Sequence, residues 1–348
     1  MAARSTIFPR PASAAAILAA ALVAGCAVQS QPISSRSEQI LKERRVSADK
    51  LGFHMLPGGT RYQMQLFRAK LPAEPIELPM ERSVARLPAA TLKLNHSVPV
   101  RMILDTGAQL SVVEASAAIA AKADVFAPTE GALRVAGVGG EEKAWLASFK
   151  SAQLGPIDFG GLVTVLRRST SNLHFGGLPF GSIDVNLLGA PVLGAFSFVT
   201  FDYPAAKFVL SGGSAFVPSR NAARIPLTVR DSLAYVPLRV GTHTIEAMVD
   251  TGARDELFLN EEVVRKWGFE SYANAGGTFK AAGLGGMIHG RQFRIALMHL
   301  GDVPVQNVIV DSSTGPWQAR IGSQLLERWR TTFDFRNGAL WLESPRHQ

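Results

Sequence analysis

Residues 98–108 read VPVRMILDTGA, and residues 244–253 read TIEAMVDTGA. The tetrapeptide Asp-Thr-Gly-Ala therefore ends an apolar stretch twice, beginning at Asp105 and at Asp250. Apolar and β-branched residues in short runs are typical of strands, so each aspartate is predicted to follow a strand directly. One Asp-Thr-Gly would be weak evidence for any function, but two copies in the same context are a specific signal.

The rest of the chain repeats around the two copies. Four further pairs of segments keep the same order in both halves: 136–140 with 282–286, 154–155 with 300–301, 187–189 with 320–322, and 201–203 with 333–335. The spacing between the halves shortens after Gly155, which places an insertion in the first half, at residues 169–181. The third pair matches less well, since Arg320 stands where the first half has Leu187. An internal repeat of this length predicts two similar lobes.

Local signals predict a few short helices and a terminal hairpin. Helices are expected after each motif, at 114–123 and 261–267, the second with Asn260 as its N-cap and Gly268 as its stop. Asn337-Gly338 predicts a two-residue hairpin turn between strands 331–335 and 339–343. Each half is otherwise expected to consist of strands.

Two aspartates on paired turns suit one kind of chemistry. When two carboxylates lie close together they cannot both ionise readily, so the pair holds one proton and titrates as a unit. One member then acts as a base toward a bound water, and the other as an acid toward an amide carbonyl. Asp105 and Asp250 in this arrangement predict hydrolysis of peptide bonds with no metal and no cofactor.

On these residues the chain resembles the retropepsin-like and pepsin-like aspartic peptidases, over about residues 86–345. Alanine after each Asp-Thr-Gly favours the retropepsin-like branch. The resemblance implies a mostly β fold of two pseudo-symmetric acid-protease lobes with short helices, at residues 86–215 and 216–348. It makes Asp105 and Asp250 catalytic. The other motif residues are expected to support the catalytic turns, the threonines through cross-bracing hydroxyls: Thr106, Gly107, Thr251 and Gly252.

The two glycine-rich segments take a role from the same resemblance. They correspond to the flap, a hairpin that closes over substrate, and glycine suits its tip because it allows close backbone approach. The predicted flap and substrate-binding residues are Gly137, Val138, Gly139, Gly140, Gly283, Leu284, Gly285 and Gly286. A nucleotide-binding loop is the rival interpretation, but Glu142 and Ile288 stand where G-x-G-x-x-G requires glycine.

The N-terminus is predicted to be an export signal. Residues 1–25 have a basic start and a short apolar run, and they end in Leu-Val-Ala-Gly before Cys26, which resembles the lipobox of bacterial lipoproteins. Cys26 would then carry the lipid, and Ala27 after it implies the periplasmic face of the outer membrane. The alternative is an ordinary signal peptide with a chance cysteine. Residues 26–85 are expected to hold a polar membrane tether, to about residue 50, and then a segment that either wraps the fold or covers its cleft.

Composition limits the remaining function classes. The 348 residues are 47% apolar and 18% charged, which is typical of a globular protein. The single cysteine excludes a disulfide framework and a cysteine-rich metal site. The net charge of +8 comes with no nucleic-acid-binding pattern, so no nucleic-acid partner is expected.

The sequence predicts an aspartic endopeptidase that acts on exported or envelope polypeptides. A monomer whose two lobes pair within one chain is favoured over pairing between two chains. The alternative function is a catalytically silent lipoprotein that binds peptides or serves as a scaffold with the same fold. A latent enzyme, blocked by residues 51–85, is a third reading.

Overall fold

The computed structural model describes residues 26–51, 53–55, 62–83, 85–127, 134–137, 140–175, 178–182, 185–283 and 286–344. The predicted signal segment, residues 1–25, lies outside the described residues. Within these ranges the chain is mostly β and forms two lobes, as the sequence predicts. No helix in them is both long enough and apolar enough to cross a membrane.

The first lobe is built around the strand Val98–Asp105, which carries the first motif. This strand lies between the antiparallel strand Pro88–Leu94 and the parallel strand Leu187–Gly189. In the described part of the chain, eleven strands form the sheet: Asp124–Phe126, Trp145–Phe149, Leu162–Arg167, Val112–Glu114, Leu187–Gly189, Val98–Asp105, Pro88–Leu94, Ala152–Leu154, Ile157–Gly160 and Arg68–Ala69 in order, with Glu81–Arg82 beside Pro88–Leu94.

The second lobe repeats this arrangement around the strand His243–Asp250. The strand lies between the antiparallel strand Leu233–Val240 and the parallel strand Ala319–Gly322. Eight strands of the described residues form the sheet, in the order Thr228–Arg230, Leu233–Val240, His243–Asp250, Ala319–Gly322, Leu257–Asn260, Val303–Ser313, Gly286–Leu300 and Gly277–Gly283. Each motif therefore sits at the end of a strand in the middle of its sheet.

A third sheet joins the lobes. Its six described strands are, in order, Ala223–Pro226, Ala339–Glu343, Arg330–Asp334, Phe198–Asp202, Lys207–Ser211 and Ile76–Pro79. At its centre Thr200 pairs with Thr332, and their buried hydroxyls lie 2.8 Å apart. The buried rings of Phe201 and Phe333 pack beside them, with centroids 5.6 Å apart. Burial of each ring contributes about 2–3 kcal/mol, so equivalent positions of the repeat hold the two halves together.

In the described part of the chain, three smaller sheets of paired strands lie outside these three. The predicted insertion forms the hairpin of Ser169–Phe175 and Leu178–Ser182, and the strand Cys26–Pro32 pairs with its first member. The remaining two hairpins pair Arg134–Gly137 with Gly140–Lys143, and Phe53–Met55 with Tyr62–Met64.

Both predicted helices are present, as Ala115–Ala120 and Glu261–Lys266. Asn260 caps the second by accepting a 2.9 Å hydrogen bond from the Val263 N–H, and Gly268 follows it with φ +72°. The other helices of the described residues are Ser35–Glu43, Ala190–Leu193, Glu270–Ala275 and Ser323–Leu326, with a 3-10 turn at Ala48–Leu51.

The predicted two-residue turn at Asn337-Gly338 is wrong. Asp334 pairs with Ala339, which leaves a four-residue loop between the strands. Gly338 has φ +57°, but Asn337 is not in the left-handed region that the predicted turn requires. Instead the Asn337 N–H and side-chain amide donate to the Asp334 carboxylate at 2.9–3.1 Å, and these bonds close the longer loop.

The segment before the first lobe is folded where the sequence predicts a polar tether. The helix Ser35–Glu43 places Leu41 in the main core with no exposed surface. Leu51 is also buried, and it packs in an apolar cluster that includes Val112 and Leu187. Further on, Ile76–Pro79 adds a strand to the joining sheet, which makes this part of the chain a wrapping strand.

Candidate active site

The two Asp-Thr-Gly turns meet within one chain. Each is supported from behind by the glycine that ends the third repeated segment: Gly189 pairs with Asp105, and Gly322 pairs with Asp250. A Cβ on Gly189 would lie 2.7 Å from the Leu110 carbonyl carbon, so only glycine fits at this crossing. Both motif turns are therefore backed by a glycine of the repeat, although Arg320 stands in the second lobe where the first lobe has Leu187.

The threonines brace the turns against each other. The Thr106 hydroxyl donates to the Val249 carbonyl at 2.7 Å and accepts from the Thr251 N–H at 3.1 Å. The Thr251 hydroxyl donates to the Leu104 carbonyl at 2.6 Å and accepts from the Thr106 N–H at 3.1 Å. Four buried hydrogen bonds thus fix the position of one aspartate relative to the other.

The motif glycines hold the carboxyls in place. The Gly107 N–H donates to Asp105 Oδ1 and the Gly252 N–H to Asp250 Oδ1, both at 2.8 Å. Each glycine also lies against the carboxyl of the other lobe: a Cβ on Gly107 would be 2.3 Å from Asp250 Cγ, and one on Gly252 would be 2.3 Å from Asp105 Cγ. Both aspartates are 7% exposed. The structure therefore brings together two buried carboxyls on a symmetric frame.

The electrostatics of the pair are less symmetric than its geometry. Burial and the nearby Asp250 carboxylate raise the pKa of Asp105 well above its ordinary range. Burial raises the pKa of Asp250 as well, but the guanidinium of Arg320 opposes that rise. The interaction between the two carboxyls raises the pKa of Asp105 and lowers that of Asp250, so it favours the protonated form of Asp105. A pair in this state is suited to hold one proton.

Arg320 is the residue that sequence reasoning missed. It is 5% exposed, its guanidinium forms a salt bridge with Asp255, and its Nε lies 3.7 Å from Asp250 Oδ2. The only sequence signal was its departure from the repeat, since Arg320 stands where the first half has the apolar Leu187. An arginine is rarely buried without partners, so such a departure indicates nearby carboxylates.

Arg254, which directly follows the second motif, does not join this cluster. Its guanidinium pairs with Glu327 at 2.6 Å, as does that of Arg82. It thus lies within a separate ion-pair group.

The described flap residues lie at the ends of two hairpins. Gly137 pairs with Gly140 in the first lobe, and Gly283 pairs with Gly286 in the second. Val138, Gly139, Leu284 and Gly285 lie outside the described residues. The described strands on either side of each predicted flap tip therefore pair antiparallel.

A protein-family model described as aspartyl protease matches residues 90–192 and 236–319, which together are more than half of the chain. The chain belongs to the aspartyl protease family. Each matched range contains one Asp-Thr-Gly-Ala motif. Asp105 and Asp250, which together form the candidate catalytic dyad, therefore both lie within the family match.

Solved structures similar to this aspartyl protease include a retropepsin-like aspartic protease from Rickettsia conorii, at 26% identity and a TM-score of 0.28, covering 35% of this chain and 89% of that one. An aspartic proteinase from Irpex lacteus has 12% identity and a TM-score of 0.45, covering 78% and 98%. Conglutin gamma, a basic 7S globulin from lupine seeds, has 13% identity and a TM-score of 0.42, covering 79% and 96%. The comparison with curated proteins found no match.

Proposed function

We propose that this aspartyl protease is an endopeptidase that hydrolyses peptide bonds through a water activated by Asp105 and Asp250, which share one proton. The observation that carries the proposal is the pair of buried carboxyls, each held by its own glycine N–H and braced by the opposite threonine. The raised pKa of Asp105 supports a dyad that keeps one proton above the pH at which an ordinary aspartate ionises.

In the proposed reaction the ionised carboxyl takes a proton from water as the water oxygen bonds to the peptide carbonyl carbon. The protonated carboxyl donates its proton to the carbonyl oxygen, which gives a neutral tetrahedral intermediate. On collapse, the C–N bond breaks, the leaving nitrogen takes the first proton, and an intermediate hydroxyl returns the other to the dyad. The sum consumes one water and regenerates the one-proton state.

The test is cleavage of a diverse peptide library, followed by mass spectrometry from about pH 4 to 7.5, near and above the ordinary aspartate pKa. We expect Asp105→Asn and Asp250→Asn each to abolish cleavage, because each removes one partner of the proton exchange. Asp302→Asn is the matched control, since Asp302 is exposed in a turn of the second lobe. Cuts that persist in either dyad variant would refute the shared-dyad mechanism.

The peptide-binding scaffold remains the alternative outcome of the same test. A folded protein that cut nothing at any pH would favour either this scaffold or the latent enzyme. The described contacts favour the enzyme, because a surface that only binds peptide has no need for two buried carboxyls, whose burial is unfavourable.

We further propose that the substrates are exported or envelope polypeptides and that the protein is lipid-anchored at Cys26 on the periplasmic face of the outer membrane. The support for this is the lipobox-like sequence ending at Cys26. Incorporation of labelled palmitate and membrane fractionation test it. Both should be lost in Cys26→Ser, and unchanged fractionation of that variant would refute the anchor.

A further inference from the structure

The two sides of the dyad have different surroundings, although the motifs that build them are the same. Leu187 and Arg320 occupy equivalent positions, since each pairs with the residue two places before its motif aspartate, Ile103 and Met248 respectively. Leu187 packs in an apolar cluster with Val112 and Leu51. Arg320 instead brings a buried guanidinium to the second aspartate. One carboxyl therefore lies in a lobe with hydrocarbon at this position, and the other lies beside a cation.

Arg320 is held firmly beside Asp250. Its guanidinium carbon lies 5.3 Å from the Phe258 ring centre and 5.5 Å from that of Trp317, and its terminal nitrogen bonds to Asp255. Its Nε has no hydrogen-bond acceptor among the described residues and lies 3.7 Å from Asp250 Oδ2. The side chain is thus fixed by rings and a salt bridge, and its unpaired nitrogen is close to the dyad.

The charges near Asp250 come from several elements. Asp105 reaches it from the first turn, Asp255 from the loop after the second motif, and Arg320 from the supporting strand. Asp311 is influenced by Asp255, Arg320 and Glu256, but it accepts a hydrogen bond from Gln292, and Glu256 pairs with Arg328. Arg320 acts more strongly on Asp250 than Asp255 does. The net effect of the Arg320–Asp255 pair is to favour the ionised form of Asp250.

We propose that Arg320 is a positioning residue that keeps Asp250 ionised and so places the shared proton of the dyad on Asp105. Asp250 is then the base that takes the proton from water, and Asp105 is the acid that protonates the substrate carbonyl. In the second step Asp250 gives its proton to the leaving nitrogen, and Asp105 regains one from the intermediate. This assignment rests on the proposed function, but the state of the two carboxyls can be measured without it.

The first test is the pH dependence of kcat/KM for Arg320→Met, Arg320→Lys and Arg254→Met. Loss of the cation makes Asp250 harder to ionise, so the acid limb of the Arg320→Met profile should move to higher pH. At the acid end its rate, relative to its own optimum, should fall about tenfold. Arg320→Lys retains the positive charge, so the acid limb of its kcat/KM profile should stay close to that of the wild type. Arg254→Met is the matched control, because Arg254 pairs with Glu327, and its profile should not move.

The second test needs no activity. Protein labelled with ¹³C at the aspartate carboxyl carbons is titrated by NMR, with the Asp105→Asn and Asp250→Asn variants used to assign the two signals. In Arg320→Met the Asp250 signal should titrate at higher pH than in the wild type. Arg320→Met/Asp255→Asn removes both partners of the buried salt bridge, so neither is left unpaired. It should shift the Asp250 signal in the same direction, and it serves as the test if Arg320→Met alone does not fold.

The outcomes separate the two proposals. An Asp250 titration that is unmoved in both Arg320 variants, or that moves equally in Arg254→Met, would overturn the role of Arg320. A larger shift at Asp105 than at Asp250 would overturn the assignment of base and acid. A wild type that cuts nothing, but whose Asp250 signal shifts in Arg320→Met, would refute the proposed function and still support the placement of the proton.

Discussion

Replacing Gly107 with alanine tests whether each motif glycine positions the carboxyl of the other lobe. The new methyl carbon would lie 2.3 Å from Asp250 Cγ and 2.6 Å from both carboxyl oxygens. Carbon atoms in good contact are about 3.5–4.0 Å apart, so the carboxyl must move by about 1 Å or more. We expect kcat/KM to fall about 100-fold, since misplacement on that scale has this effect in active sites. Overpacking should also lower the unfolding free energy by about 1–3 kcal/mol.

A double-mutant cycle in urea unfolding isolates the cause. Asp250→Ala removes the three atoms that the new methyl would strike, so Gly107→Ala should be nearly harmless in that background. The coupling energy should be about 1–3 kcal/mol. Gly277→Ala is the matched control, because a Cβ there meets nothing within 4 Å, and its stability should change by less than about 1 kcal/mol.

Equal destabilisation by Gly107→Ala with and without the Asp250 side chain would refute the steric contact between the two residues. A wild-type kcat/KM in Gly107→Ala would refute it as well. Either result would mean that the turn relaxes without moving the opposite carboxyl.

Three further predictions concern the catalytic turns and the helix Ser35–Glu43. Thr106→Val removes a hydroxyl that bonds to one N–H and one carbonyl of the opposite turn, so urea unfolding should show a loss of about 2–4 kcal/mol, and Thr106→Ser should lose less. Because the folded pKa of Asp105 is raised, its ionised form opposes folding above the unfolded pKa. Asp105→Asn should therefore raise the melting temperature at pH 7, and the gain should vanish as the pH falls to about 4; a gain that does not depend on pH would contradict this. Leu41→Ala should cost about 2–4 kcal/mol in urea, whereas the exposed Arg36→Ala should cost little; equal effects would show that the helix Ser35–Glu43 does not stabilise the lobe.

Features fixed by local or repeated signals could be predicted from the sequence. The strands before Asp105 and Asp250 read as apolar runs, and the repeat required them to be equivalent. The helix Glu261–Lys266 has its cap and its stop in adjacent residues. Such signals need no knowledge of the rest of the chain. The two-residue turn at Asn337-Gly338 was predicted wrongly because the Asp334 carboxylate accepts a hydrogen bond from the Asn337 N–H and so stabilises a longer loop. That interaction is not visible in the dipeptide.

Features that depend on distant contacts could not be predicted in this way. The helix Ser35–Glu43 buries only Leu41 among its residues, so it has no apolar period to reveal it. Its stability comes from the first lobe, to which Glu38 is also tied through Arg168 at 3.3 Å. The contacts of Arg320 could not be predicted without the positions of Asp250 and Asp255, which only the folded second lobe brings together.

The repeat that builds the site also creates a problem for its chemistry. Two identical turns give two equivalent carboxyls, yet hydrolysis needs one as base and one as acid at the same moment. A dimer of identical chains can distinguish them only when an asymmetric substrate binds. A single chain can distinguish them in its sequence, at a position that touches the dyad and is free to differ between the halves. Arg320 occupies such a position, and Leu187, at the equivalent place in the first half, carries no charge. The departure from the repeat at Arg320 is therefore the feature to which we assign the proposed difference in role between the two aspartates.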